Sequence, residues 1–208
     1  MVYLKQVLII ILFICSFLFL FALPVLIINY RQRVFFSKIA TKYHLKQEYN
    51  KFKITRDFPV VKGYIGKYWV YIQATALGSY SYNQNYDTHK FASPSVLTGI
   101  QTNNKKLTHF VLLQTKEILA DKYVSTDSFY DYFTVEVLPK EYQSKIFKNY
   151  IQQEIINCSK NKTLLNIILD NGYLKSTANY ELTSTKRYEE TVSKIELLKT
   201  ISKQIDSN

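Results

Sequence analysis

The side chains best suited to chemistry in this sequence are its histidines and a few spaced carboxylates. His44 sits in a basic stretch, His109 in an apolar one, and His89 follows Asp87 by two residues. Asp87 and His89 could both bind a metal, but a closed zinc site takes about four ligands, so no metal site is expected. Asp127 and Asp131 stand four residues apart, a spacing at which one carboxyl can serve as acid and the other as base. A turn carboxylate that accepts local backbone N–H groups is the cheaper account of Asp127. His109, Asp127 and Asp131 are therefore candidate site residues, and no residue is assigned a catalytic role. The chain has no phosphate-cradling glycine loop, no His-Glu-x-x-His and no Gly-x-Ser-x-Gly, and no cofactor is expected. Cys15 and Cys158 are too few for a metal cluster, and one lies in an apolar run, so no disulfide is expected either.

A second constellation is basic. The formal net charge is +11, and most of it falls between Arg31 and Lys67, where ten Lys/Arg face only Glu48 and Asp57. Lys38, Lys42 and Lys46 recur every four residues, which is helical spacing, behind Arg31 and Arg33. These five are candidates for contact with anionic lipid headgroups, each worth about 1 kcal/mol near such a surface. A solvated helix face explains them as simply. From residue 68 onward the charge nearly balances, which argues against a nucleic-acid binder, whose basic residues spread over a face of the folded domain.

The elements that position these residues begin with an uncharged apolar run over residues 7–28. As a helix it spans about 33 Å, enough to cross a hydrocarbon core. It is longer than a cleaved signal and ends without a small-x-small site. The expectation is a short tail (1–6), a transmembrane helix (7–28), a basic juxtamembrane helix (29–50) and one soluble domain (51–208). Arg31, Arg33, Lys38, Lys42 and Lys46 outnumber Lys5 across the run, which favours an inner-membrane, single-pass protein with its domain in the cytoplasm.

Within the domain, residues 60–65 and 68–76 read as a hairpin turning at Gly66-Lys67. Residues 77–106 are polar, with Tyr80, Tyr82 and Tyr86 as possible partner contacts and a further strand near 96–102. Strands are expected at 107–115 and 132–138, then a helix from Pro139 to about Asn157. Asn171-Gly172 between apolar segments is a strong hairpin signal. Residues 185–205 make an amphipathic helix behind a Ser184 or Thr185 cap. Hairpins without βαβ units give an α+β class: an N-terminal transmembrane helix, then a mainly antiparallel sheet with helices on one face.

The Gly63-Tyr64-Ile65-Gly66-Lys67 hairpin and the segment Ser125-Thr126-Asp127-Ser128-Phe129-Tyr130-Asp131-Tyr132-Phe133 resemble a loose set of bacterial single-span membrane proteins of unknown function. In that set the second segment looks like Gly-Asp-x-x-Phe-Asp-x-x-Phe; here Thr126 replaces Gly and Tyr130 precedes Asp131. The resemblance implies a bacterial inner-membrane setting and carries over no catalytic residue. Three functions follow for comparison with the structure: a non-enzymatic interaction or scaffold module with a protein partner, recognition of anionic lipid or nucleic acid through the basic segment, and an enzyme of unrecognised type.

Overall fold

The computed structural model describes residues 2–48, 58–77, 93–119, 122–160 and 164–207. Two helices lead the chain, α1 (Val2–Phe17) and α2 (Leu23–Tyr43), with a π-helical stretch, Leu18–Ala22, between them. Eight strands follow among the described residues: β1 (Lys46–Glu48), β2 (Val60–Ile65), β3 (Tyr68–Leu77), β4 (Ser93–Gln101), β5 (His109–Gln114), β6 (Phe133–Leu138), β7 (Asn166–Asp170) and β8 (Tyr173–Ala178). Between β5 and β6 lies a short helix α3 (Phe129–Tyr132); α4 (Glu141–Ile146) and α5 (Asn149–Ser159) separate β6 from β7, and α6 (Thr185–Asp206) follows β8.

The transmembrane expectation is corrected here. Among the described residues, no helix is long and apolar enough to cross a membrane. The apolar run is shared by three elements: α1 has 16 residues, the π-helical stretch 5, and α2 turns polar from Asn29 onward. A span needs about 20 apolar residues in one helix. The single-pass and inner-membrane readings, and the orientation drawn from flanking charge, fall with it. Ile9, Ile10 and Phe13 are nonetheless exposed along α1. Nor is the basic segment a helix throughout. α2 ends at Tyr43, His44 caps it in the left-handed region (φ 55°), and Lys46 lies in β1. Phe36 and Ile39 of α2 are fully buried, so this helix packs into the core of the domain.

The sheet is antiparallel throughout, in the order β1-β2-β3-β4-β8-β7-β5-β6. Alternation along each strand separates two faces. Val61, Ile72, Thr98 and Ser176 run in register across β2, β3, β4 and β8, and Ile167, Leu112 and Val135 across β7, β5 and β6. This face meets the helices: Ile195, Leu198, Ile201 and Ile205 of α6 are fully buried, as are Ile151 and Ile155 of α5. The opposite face carries the row Lys62, Tyr71, Gly99, Lys175, Ile168, Val111, Glu136. Edge-to-face ring pairs cover part of it, Tyr64 with Trp69 at 4.9 Å and Tyr71 with Tyr173 at 5.6 Å.

Both hairpins form at the residues expected, with Gly66 at φ 63°, Asn171 at φ 52° and Gly172 at φ 77°. Ser184 caps α6, its hydroxyl accepting from the Arg187 N–H at 3.4 Å. The single helix expected after Pro139 is two. Phe147 leaves helical geometry (φ −88°, ψ 55°) and sinks into the core, where its ring stacks on Phe110 at 5.7 Å. Burying that ring outweighs the helical hydrogen bonds lost at the break. Of the polar stretch 77–106, β4 occupies 93–101, and Tyr80, Tyr82 and Tyr86 lie outside the described residues.

Two glycines are testable. Gly172→Val should lower stability by about 1 kcal/mol or more, because a β-branched residue resists positive φ. At Gly99, an added Cβ would sit 2.2 Å from Tyr71 Cε1. Gly99→Ala should therefore cost about 1–3 kcal/mol by overpacking. In chemical denaturation, adding Tyr71→Ala should make that alanine nearly neutral; strict additivity would show that the ring does not set the cost.

Candidate functional site

The sequence-level candidates scatter. His109 opens β5 and pairs across the sheet with Leu138, whereas Asp131 lies two residues before Phe133, which pairs with Gln114 at the other end of β5. At about 3.3 Å per strand residue, that separates them by roughly 17 Å or more. Asp127 sits in the 3-10 turn Thr126–Ser128, exposed, beside a hydroxyl bond from Ser128 Oγ to the Ser125 carbonyl (3.0 Å). Asp131 is exposed as well. Asp87 and His89 lie outside the described residues, among which no group of three metal-binding side chains occurs.

The basic candidates also divide. Arg31, Lys38 and Lys42 are exposed on α2 and Arg33 is half-buried. Lys38 Nζ lies 5.0 Å from the Phe35 ring centroid and Lys42 Nζ 5.5 Å from that of Tyr43, so their stems follow apolar surface. Lys46 stands apart, on the outer strand of the sheet.

That outer strand introduces the feature the sequence did not reveal. An open sheet has two edges, and each presents backbone groups able to pair with another chain. At the β1 edge, Lys62 Nζ lies 2.8 Å and Lys46 Nζ 3.4 Å from the Glu48 carboxylate. The hydrogen bond from Lys62 holds that carboxyl below its usual pKa. Its charge is therefore kept at neutral pH, and the contact is lost only as pH falls through the lowered value. This edge is three residues long and charged, which are two of the means by which proteins blunt edges.

The β6 edge is different. Its six residues, FTVEVL, contain one charge and no proline. The Thr115 N–H donates to the Tyr132 carbonyl at 2.8 Å, and on the far side of β5 the Gln114 N–H donates to the Leu165 carbonyl at 2.8 Å. Successive residues of an antiparallel strand point their backbone groups to opposite sides. In this register Thr134, Glu136 and Leu138 therefore bond β5. The N–H groups of Val135 and Val137 point outward, with the carbonyls of Phe133, Val135 and Val137. The Phe133 N–H is taken by the Phe129 carbonyl.

Beside this strand runs a groove of about 630 Å³. It is lined by Val135, Glu136, Val137 and Leu138 of the strand and by His109, Lys140 and Gln143; Leu138 is exposed, the Val137 side chain is buried, and His109 Nε2 lies 3.4 Å from Glu136 Oε2. Of the residues singled out from sequence, His109 alone lines it. Nothing in the groove resembles a nucleophile with its base; the arrangement offers backbone donors and acceptors, the exposed Leu138 side chain and a few polar groups. That suits an extended polypeptide. Val135 and Val137 read from sequence only as strand residues, because sheet order, which makes β6 an edge, leaves no local signal.

Comparison with protein-family models, curated proteins and solved structures gives no match.

Proline scanning checks the backbone assignment. Val135→Pro removes an outward N–H, whereas Thr134→Pro removes one bonded to β5. Thr134→Pro should melt roughly 4 °C or more below Val135→Pro, in keeping with about 1–3 kcal/mol for an orphaned buried acceptor. The reverse order would invert the assignment.

Proposed function

We propose that this chain is a non-enzymatic interaction module that works by strand addition: an extended segment of a protein partner pairs with β6 as a further strand of the sheet. The observation that carries this reading is the groove along β6, where outward backbone groups of Val135 and Val137 share the lining with the exposed Leu138 and the polar side chains of Lys140 and Gln143. Main-chain hydrogen bonds supply affinity in such pairing, and pockets for alternate side chains supply selectivity. The contrast between the two edges supports it, since Lys46, Glu48 and Lys62 guard the β1 edge while β6 carries only Glu136. His109 and Lys140 act here as rim groups, and Asp127 and Asp131 have no chemical step to perform.

A photo-crosslinking side chain placed at Thr134 in cells should give discrete protein adducts. The same side chain at Lys46, on the guarded edge, should give few. Adding Val137→Pro, which removes an outward N–H, should reduce the Thr134 adducts at least tenfold, whereas Val137→Ala, which trims the same buried side chain but keeps the N–H, should leave most of them. Equal adducts at the two positions, or adducts indifferent to the proline, would contradict strand addition at β6.

A further inference from the structure

We infer that the strand paired with β6 is β6 of a second copy of this chain, running antiparallel about a two-fold axis through Val135; this rests on the strand-addition reading above. A two-fold pairing of one strand with itself must place outward-pointing residues opposite one another, which leaves three registers centred on the strand. An axis through Glu136 sets that carboxylate directly against its own copy, and like charges directly opposite are destabilising. An axis through Thr134 drives the Val137 groups past the start of the strand, against Asp131 in helical α3. An axis through Val135 engages both outward donors: each Val135 N–H meets the Val135 carbonyl of the other copy, and each Val137 N–H meets the Phe133 carbonyl.

The side chains fit the same register. Glu136 comes opposite Thr134 of the second copy, so the only charge of the strand meets a hydroxyl. Leu138, 48 % exposed, comes against Tyr132 of the second copy. Lys140 follows β6 at one end and Asp131 precedes it at the other, both exposed, so the antiparallel arrangement sets unlike charges at each end of the new pair. Leu113 and Ile168, 41 % and 43 % exposed on the helix-free face beside this edge, would then lie within a continuous sheet of two copies. The guarded β1 edge stops the assembly at two, because an isologous pairing closes on itself.

The register can be read by disulfide formation. Thr134 and Glu136 of different copies would form a pair without mutual hydrogen bonds, with Cα atoms about 4.5 Å apart, inside the range a disulfide accepts. Thr134→Cys and Glu136→Cys are made separately in full-length chain carrying Cys15→Ser, since Cys15 is exposed and Cys158 buried. They are purified in mild detergent, because α1 exposes apolar side chains, and oxidised singly and as a mixture. The mixture should give at least several-fold more covalent dimer than either variant alone, and light scattering of the unmodified chain should give twice its 24.5 kDa. A monomer mass with no preference for the mixture overturns self-pairing. If Thr134 photo-adducts with a different protein then persist and remain sensitive to Val137→Pro, strand addition stands with another partner. If they are absent as well, both readings fall. Melting curves of the two cysteine variants, both at exposed positions, show that each remains folded.

Discussion

The contact between α6 and the centre of the sheet is what the remainder of the structure depends on. Ile195, Leu198, Ile201 and Ile205 are fully buried there, and at about 1.5–3 kcal/mol each their burial contributes on the order of 6–12 kcal/mol. Thr98 on β4 and Ser176 on β8 are small enough to let the helix approach, and Ser202 of α6 is fully buried with them. The other flank of α6 is covered too. Tyr43 of α2 donates to Glu196 at 2.8 Å, and burial together with that bond raises the phenol pKa well above its usual value. Tyr150 of α5 bonds Gln204. Glu190 and Lys194 are buried together, 3.5 Å apart, with Arg187 2.9 Å from the same carboxylate. A buried pair of this kind adds little net stability but is costly to break on one side.

One-sided covering has consequences for the rest of the sheet. With the helices committed to one face, the other must be closed by its own side chains. Tyr71 does this over Gly99, and Lys175 bonds Asp170 across the β7–β8 hairpin, which raises the lysine pKa. The edges cannot be closed this way, because their exposed groups are backbone. The chain guards one edge with Lys46, Glu48 and Lys62, whereas at the other β6 is, among the described residues, the outermost strand and stands beside a groove. That asymmetry gives the binding reading its physical basis.

Much of this was legible before the structure. The Gly66 and Asn171-Gly172 turns, the Ser184 cap and the apolar stripe of α6 are local signals, each readable from a few consecutive residues. The α+β class followed from them. Less legible was anything fixed by distant contacts. Residues 7–28 read as one span because hydropathy counts residues without seeing where backbone geometry changes, and the π-helical stretch Leu18–Ala22 divides them. The break at Phe147 depends on Phe110, far away in sequence. Lys46 continued a four-residue period yet belongs to a strand, because His44 ends the helix in a left-handed turn. The groove along β6 was illegible for the same reason: nothing in FTVEVL says that it is the outermost strand among the described residues.

Residue-resolved amide hydrogen exchange tests the central claim most directly, comparing dilute and concentrated protein. The account predicts that Thr134 and Glu136, bonded to β5, exchange slowly at both concentrations. Val135 and Val137 should exchange quickly when dilute and slow by at least tenfold when concentrated, as their outward N–H groups find partners. Slow exchange at Val135 and Val137 in the dilute monomer would mean that this edge is already closed within the chain, and would contradict the account.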